Sequence, residues 1–334
     1  MTAPVERSGE ASVRLQTWVL AVGIVLMGGK FLAWRLTGSS TILSDALESI
    51  VNVVAGCFAL YSLILAAKPR DTGHPYGHGK VEFLSAGFEG GLVMLAGALI
   101  IWSAGKSLMH PLPLRSLDTG ILITAGTGVI NLLMGLALRK RGREQFSLTM
   151  EASGAHLLSD AWSTAAMIVG LIIIRITGIP WLDGVFAIAF AIYIIITGLR
   201  ILRRSVAGMM DEADLDLAAQ VIAVLEQNRK PQWVDVHNFR MIKYGAVLHI
   251  DCHVTLPWYY SLEQAHDEIA AMEKLVNAHC AQEVELFIHM DPCIPTSCRI
   301  CSLEGCPQRK AEQAHRITWQ LGSVLDNAKH GSKG

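Results

Sequence analysis

Six stretches of the chain are long and apolar enough to cross a bilayer as helices: 15–36, 41–66, 83–108, 117–138, 149–174 and 181–202. Short connections between them make neighbours antiparallel. The pattern changes at Asp211. From there apolar positions recur first at helical spacing and then at every second residue. This predicts a helix over 215–227, strands over 233–241 and 246–256, a helix over 261–279 and a strand over 283–290. In the second strand Leu248, Ile250, Cys252 and Val254 face one way, and His249, Asp251 and His253 the other. Past Asp291 the chain becomes cysteine-rich, then polar with a helical pattern, and ends loosely over 329–334. The expected fold is a multi-pass α-helical membrane protein of six spans with a C-terminal α/β cytosolic domain of order αββαβ. The expected divisions are an arm over 1–13, the helical domain over 14–204, a linker over 205–210, the soluble domain over 211–292 and a tail over 293–334.

Composition supports that division. Hydrophobic residues make up 51% of the 334, charged residues only 17%, and the mean hydropathy is +0.38. This balance belongs to a membrane protein with a soluble part. A net charge of −1 gives no reason to expect a nucleic-acid partner. The basic residues are unevenly placed. Lys68, Arg70 and Lys80 flank the second-to-third connection, Arg139, Lys140, Arg141 and Arg143 crowd the fourth-to-fifth, and Arg203 and Arg204 follow the sixth span. The connections at 37–40 and 177–180 carry no Lys or Arg; Arg115 is a minor exception on that side. The positive-inside rule then puts both termini and the two basic loops in the cytoplasm. The polar start over 1–10 has no signal-peptide pattern, so the first span is expected to stay.

The fifth span holds His156 and Asp160, four apart and so one turn apart on one helix face. A central Asp costs about 2.5–3.5 kcal/mol to insert, and such residues mark ion or proton pathways by default. The alternative is a pair that hydrogen-bonds across the bundle and holds helices together. The second span offers a partner, a polar stripe of Asp45, Glu48, Asn52 and Gly56. Two facing helices would bring Glu48, Asn52, His156 and Asp160 around one cation. Nitrogen and oxygen ligands in a tetrahedron suit zinc and admit other first-row divalent ions. A water-lined stripe with no fixed ion is the competing reading. The loop after the second span gathers Asp71, His74 and His78 among glycines, either a surface metal site or a tight turn with incidental histidines. Four of the seven cysteines, Cys293, Cys298, Cys301 and Cys306, have spacing that can close a four-sulfur site for zinc or an iron–sulfur cluster, with incidental thiols as the alternative. Cys57, Cys252 and Cys280 read as small buried hydrophobes.

Taken together, the six spans, His156-x-x-x-Asp160, the stripe on the second span, the His74-x-x-x-His78-Gly79-Lys80 loop and the αββαβ domain ending His289-Met290-Asp291-Pro292-Cys293 resemble the cation diffusion facilitator family. The closest likeness is to its bacterial zinc/iron–proton antiporter branch. The resemblance covers residues 14–293 and implies a homodimer whose cytosolic domain is metallochaperone-like. It implies an intramembrane site at Glu48, Asn52, His156 and Asp160. The last two match the family pattern. Glu48 and Asn52 depart from it, since the family commonly has Asp or His followed by Asp. Asp45 stands one turn before Glu48 and could compensate. The loop site carries over as Asp71, His74 and His78. The cytosolic site carries over as His237, His253, His266, His289 and Asp291, and a charge interlock as Lys80 with Asp211. The four-cysteine tail extends beyond the family ending.

The resulting expectation is a non-enzyme, a homodimeric transporter that exports a divalent cation from the cytoplasm in exchange for protons. Zinc is the first choice of bound ion, and zinc and iron(II) are joint leading substrates, with manganese, cobalt and cadmium behind. The lipid bilayer is its surrounding. The rivals are a membrane metalloenzyme, which lacks a His-Glu-x-x-His motif, and a non-transporting metal sensor or assembly partner of the same fold.

Overall fold

A computed structural model describes residues 3–37, 40–109, 117–177 and 181–330. The chain divides into two compact units, Met1–Met210 and Asp211–Gly334.

The first unit consists of six long helices: α1 (Ala3–Thr37), α2 (Ser40–Ala66), α3 (Val81–Met109), α4 (Leu117–Glu144), α5 (Leu148–Thr177) and α6 (Trp181–Met209). The expected N-terminal arm is therefore helical from Ala3 onward. By length and apolarity two windows among the described residues could cross a bilayer, Ser12–Leu32 and Val81–Lys106, and a shorter apolar one runs over Asn52–Ala66. Helix α3 packs on α6 and α4 on α5. Glycines let both pairs approach closely. A Cβ on Gly90 would stand 3.0 Å from the Gly198 carbonyl, and one on Gly135 would stand 3.0 Å from the Gly154 carbonyl. Small residues at such crossings are how helices pack where no hydrophobic force separates them from lipid. The second crossing fixes α5 just before His156.

The second unit runs α7 (Leu215–Gln227), β1 (Asp235–Tyr244), β2 (Val247–Leu256), α8 (Leu262–His279) and β3 (Glu283–Pro292), which is the αββαβ order. Strand β1 pairs antiparallel with β2, and β2 pairs parallel with β3. Helix α7 starts on an Asp214 side chain that accepts from the Leu217 amide at 3.1 Å. Helix α8 starts on a Ser261–Gln264 capping box. Their apolar faces, with Val221, Leu225, Met272 and Val276, close over Leu248, Ile250, Cys252 and Val254 of β2. Strand alternation placed those β2 side chains correctly. His249, outside that core cluster, is buried as well, with Nδ1 3.1 Å from Glu285 Oε2 and its ring stacked on Phe287.

The tail differs from its expected helical form. Its regular structure is a 3-10 turn over Pro295–Arg299 and four helical residues over Leu321–Val324. Arg309 explains much of this. Its guanidinium donates to the carbonyls of Cys298, Ala311, Cys301 and Leu303 at 3.2, 3.3, 3.2 and 2.8 Å, so those oxygens are taken by a side chain. Trp319 and Val324 then enter the core of the second unit.

Candidate metal centres

Helix periodicity brings His156 and Asp160 to one face of α5, and helix packing brings Asn52 of α2 to meet them. Asn52 Nδ2 donates to Asp160 Oδ2 at 2.6 Å, and the Asn52 carbonyl lies 2.7 Å from His156 Nε2, which donates to it. His156 Nε2 is 3.8 Å from Asp160 Oδ2. The amide thus bridges imidazole and carboxylate, both of which are well covered. A cavity of about 50 Å³ adjoins Asn52 and is lined in part by Ser49, Lys30 and Asn131. The side chains of Asp45 and Glu48, expected beside Asn52, lie outside the described residues.

The loop between α2 and α3 folds around Asp71. Its Oδ1 accepts from the amides of Gly73 and His74 at 2.9 and 2.7 Å and from His74 Nδ1 at 3.0 Å. His78 Nε2 is 3.4 Å from Oδ2, and the two imidazole rings stand 4.3 Å apart. Gly77, at φ 88°, makes the reversal that returns His78 to the carboxylate. The bond from His74 holds the Asp71 carboxyl below its ordinary value. Asp71, His74 and His78 offer ligand atoms all within 4.8 Å of one another.

A third cluster crosses the sheet. Register places His237 opposite His253, and His253 opposite His289, so three strands contribute a row of three histidines. A bulge follows His237 in β1, where Asn238 takes φ 52°. His237 Nε2 and His253 Nδ1 both lie 3.2 Å from Asp291 Oδ2. These three residues form the second group within 4.8 Å. His289 borders it, with Nδ1 3.5 Å from Asp291 Oδ1. His266 stands exposed on α8, outside the group. Burial pushes the His237 pKa down, which favours the neutral imidazole that metals bind. Burial works to raise Asp291, but the His253 bond and the nearby Lys329 ammonium hold it below the usual carboxylate range. His237 Nδ1 is buried without a hydrogen bond among the described residues. Two imidazoles and an ionised carboxylate suit zinc.

Comparison with known proteins bears on the chain as a whole. Residues 17–210 match the cation efflux transmembrane domain, and residues 213–293 match the cation efflux protein cytoplasmic domain. The chain belongs to the cation diffusion facilitator family. Among its relatives is the uncharacterized transporter sll1263 of Synechocystis, 32% identical over 82% of this chain and 89% of the relative. The cation-efflux pump FieF of Shewanella oneidensis is 27% identical over 82% of this chain and 91% of its own length. Metal tolerance protein C1 of Arabidopsis thaliana is 28% identical over 86% and 64%. The chain is accordingly a membrane protein with a cation efflux transmembrane domain.

Within this cation diffusion facilitator the remaining expected residues fall as follows. Lys80 immediately precedes α3 in the first unit. Asp211 opens the second with φ 56°. The four tail thiols are free, with Cys301 buried and Cys293, Cys298 and Cys306 half-buried. Neither three-ligand group among the described residues includes them. Cys252 is buried as expected and Cys280 half-buried, but Cys57 is exposed on the surface of α2. Sequence reasoning missed two buried acids on α3. Glu82 accepts from the Ser147 hydroxyl, and Glu89 accepts from the Ser153 hydroxyl at 2.7 Å. Ser153 lies one turn before His156. The signal was present as two carboxylates seven apart, Glu82 at the edge of the third apolar span and Glu89 within it.

Proposed function

We propose that this chain exports a divalent cation, zinc and/or iron(II), from the cytoplasm of a bacterial cell through its inner membrane. It works as a homodimer with six spans per protomer and both termini cytoplasmic, in exchange for protons. The observation that carries the reading is the meeting of Asn52, His156 and Asp160 between two helices of the transmembrane domain. Names of relatives, a cation-efflux pump and a metal tolerance protein, agree with metal as the cargo. The match to the family's cytoplasmic domain favours a dimer.

The chemistry follows from the ligands. Imidazole nitrogen and carboxylate oxygen must be deprotonated to bind metal, so cation and proton compete for His156 and Asp160. A cation arriving from one side takes both groups and breaks the bridge through Asn52. Protons arriving from the other side restore it and expel the cation. Rocking of the helices around such a site gives alternating access. Manganese, cobalt and cadmium are further candidate substrates.

At the cytosolic cluster His237, His253 and Asp291 would hold a zinc ion, which would tie strands β1, β2 and β3 together. Asp71, His74 and His78 would make a third, more open site. The tail thiols would hold a fourth, structural ion. Tyr259 Oη lies 3.6 Å from Cys306 Sγ, and the Lys310 amide lies 3.4 Å from Cys298 Sγ, contacts that suit thiolates.

Flux in sealed proteoliposomes tests the transport reading. Zinc and iron(II) should move when a pH gradient is imposed, and Asp160→Ala should stop both. Proton-driven flux that persists in Asp160→Ala would place the site elsewhere. No flux of any divalent metal in the wild type would favour a sensor or assembly partner of the same fold, a reading supported by the neutral amide at Asn52.

A further inference from the structure

The last two described residues return to the histidine row. Lys329 Nζ lies 3.4 Å from Asp291 Oδ1 and donates to the Pro292 carbonyl at 3.2 Å. The Lys329 side chain is only 20% exposed. His330 is tied down beside it. Its amide donates to Asp235 Oδ2 at 2.9 Å, and its Nδ1 lies 2.7 Å from Asp235 Oδ1. Asp235 is itself buried, with Oδ2 3.5 Å from His237 Nδ1. Further back, the Asp326 carbonyl accepts from the Asn238 amide at 2.7 Å inside the β1 bulge. Trp319 and Val324 anchor the same segment in the core. Three successive attachments therefore deliver Lys329 to Asp291.

We propose that Lys329 sets the affinity of the cytosolic metal site: its ammonium holds the carboxylate that a divalent ion needs, and metal binding must displace it. The inference rests on the reading of His237, His253 and Asp291 as metal ligands. Asp291 divides its oxygens between two roles. Oδ2 faces the imidazoles of His237 and His253, while Oδ1 faces Lys329 and His289. A divalent ion on Oδ2 and the two imidazoles would sit close to the ammonium in a partly covered place. Like charges at that range repel strongly where water is scarce. The covalently held cation leaves when the arriving one binds more tightly. A monovalent ion gains too little from three ligands to displace it. Since His330 follows directly in the chain, departure of Lys329 loosens the bonds to Asp235. By linkage the docked tail weakens metal binding by the same factor by which metal weakens docking. The site then responds only above a metal level that the tail sets.

The test uses the full chain in detergent. Zinc is titrated and hydrogen exchange is followed in peptides covering β1 and residues 321–330, so that metal bound at the other clusters does not enter the readout. In the wild type zinc should speed exchange at the His330 and Asn238 amides. Lys329→Gln should lower the zinc midpoint in the β1 peptide by about fivefold, the low end for coupled sites. Lys329→Arg, which keeps the charge, should stay near the wild-type midpoint. Equal midpoints for Lys329→Gln and wild type would overturn the inference, while loss of the zinc response in Asp291→Ala would leave the metal site standing. A zinc response that Asp291→Ala does not change would overturn the metal reading, and the inference with it.

Discussion

Asn52 and Asp160, 108 positions apart in the chain, share a 2.6 Å hydrogen bond between α2 and α5. The donor is the Asn52 amide, and its carbonyl faces His156. One neutral side chain thus satisfies an acid and an imidazole in a place where unpaired polar groups are costly.

Replacing that amide tests its part in metal binding. Asn52→Asp puts a second carboxylate against Asp160 and adds a negative charge to the cage. Zinc affinity measured by chelator competition in detergent should rise by roughly tenfold, which is about 1.4 kcal/mol. Without metal the variant should melt earlier, because a buried hydrogen bond is replaced by repulsion, at about 1–3 kcal/mol. Unchanged zinc affinity would remove Asn52 from the ligand set.

Glu89 and Ser153 hold α3 to α5 one turn from His156. Glu89→Gln keeps the shape and an acceptor oxygen, so thermal unfolding in detergent should shift little. Glu89→Ala leaves a void and a stranded hydroxyl and should cost about 1–3 kcal/mol. Equal losses in both variants would mean that the acid itself is required, beyond its bond to Ser153.

The tail thiols lend themselves to metal analysis. Burial first, then the neighbouring Cys301, Cys298 and Cys306, push the Cys293 thiol up, so Cys293 feels the other three tail thiols. Purified protein should carry zinc beyond that removed by His253→Ala with Asp291→Ala, and Cys298→Ser with Cys301→Ser should lose it. Visible absorbance would indicate an iron–sulfur cluster instead. Equal metal content in wild type and the double serine variant would leave these residues as plain thiols.

The pH dependence of the second unit has a definite sign at Asp214. Burial tends to raise its carboxyl, but the Lys243 ammonium at 2.6 Å and the Leu217 amide outweigh burial and lower it. A carboxylate depressed in the folded state stabilises above its unfolded pKa, near 3.8, and loses that contribution as pH falls through the lower folded value. Asp214→Ala should cost about 1 kcal/mol near neutral pH through the lost helix cap, and the difference from wild type should vanish in acid. A gap that persists below the folded pKa would assign the loss to packing.

Much of this protein was legible in the sequence by itself. Period-2 alternation put Leu248, Ile250, Cys252 and Val254 in the core, because a strand turns every second side chain the same way. Four-residue spacing put His156 over Asp160, because a helix repeats every 3.6 residues. The Asp71–His74–His78 loop closed as its spacing suggested. Family motifs carried His237, His253 and Asp291 to one place. Local patterns could not decide which distant groups meet. The polar stripe and the His156/Asp160 pair let Asn52 be placed near Asp160, but the bond between them depends on how α2 lies against α5. The burial of His249 depends on Phe287 and Glu285 of a neighbouring strand. The tail looked helical because its polar spacing is helical. Arg309 instead took the carbonyls around it, and Trp319 found a place in the core. The return of Lys329 to Asp291 is likewise tertiary. An ammonium and a carboxylate 38 residues apart attract in any conformation, but only the folded sheet and its anchored tail hold them at 3.4 Å.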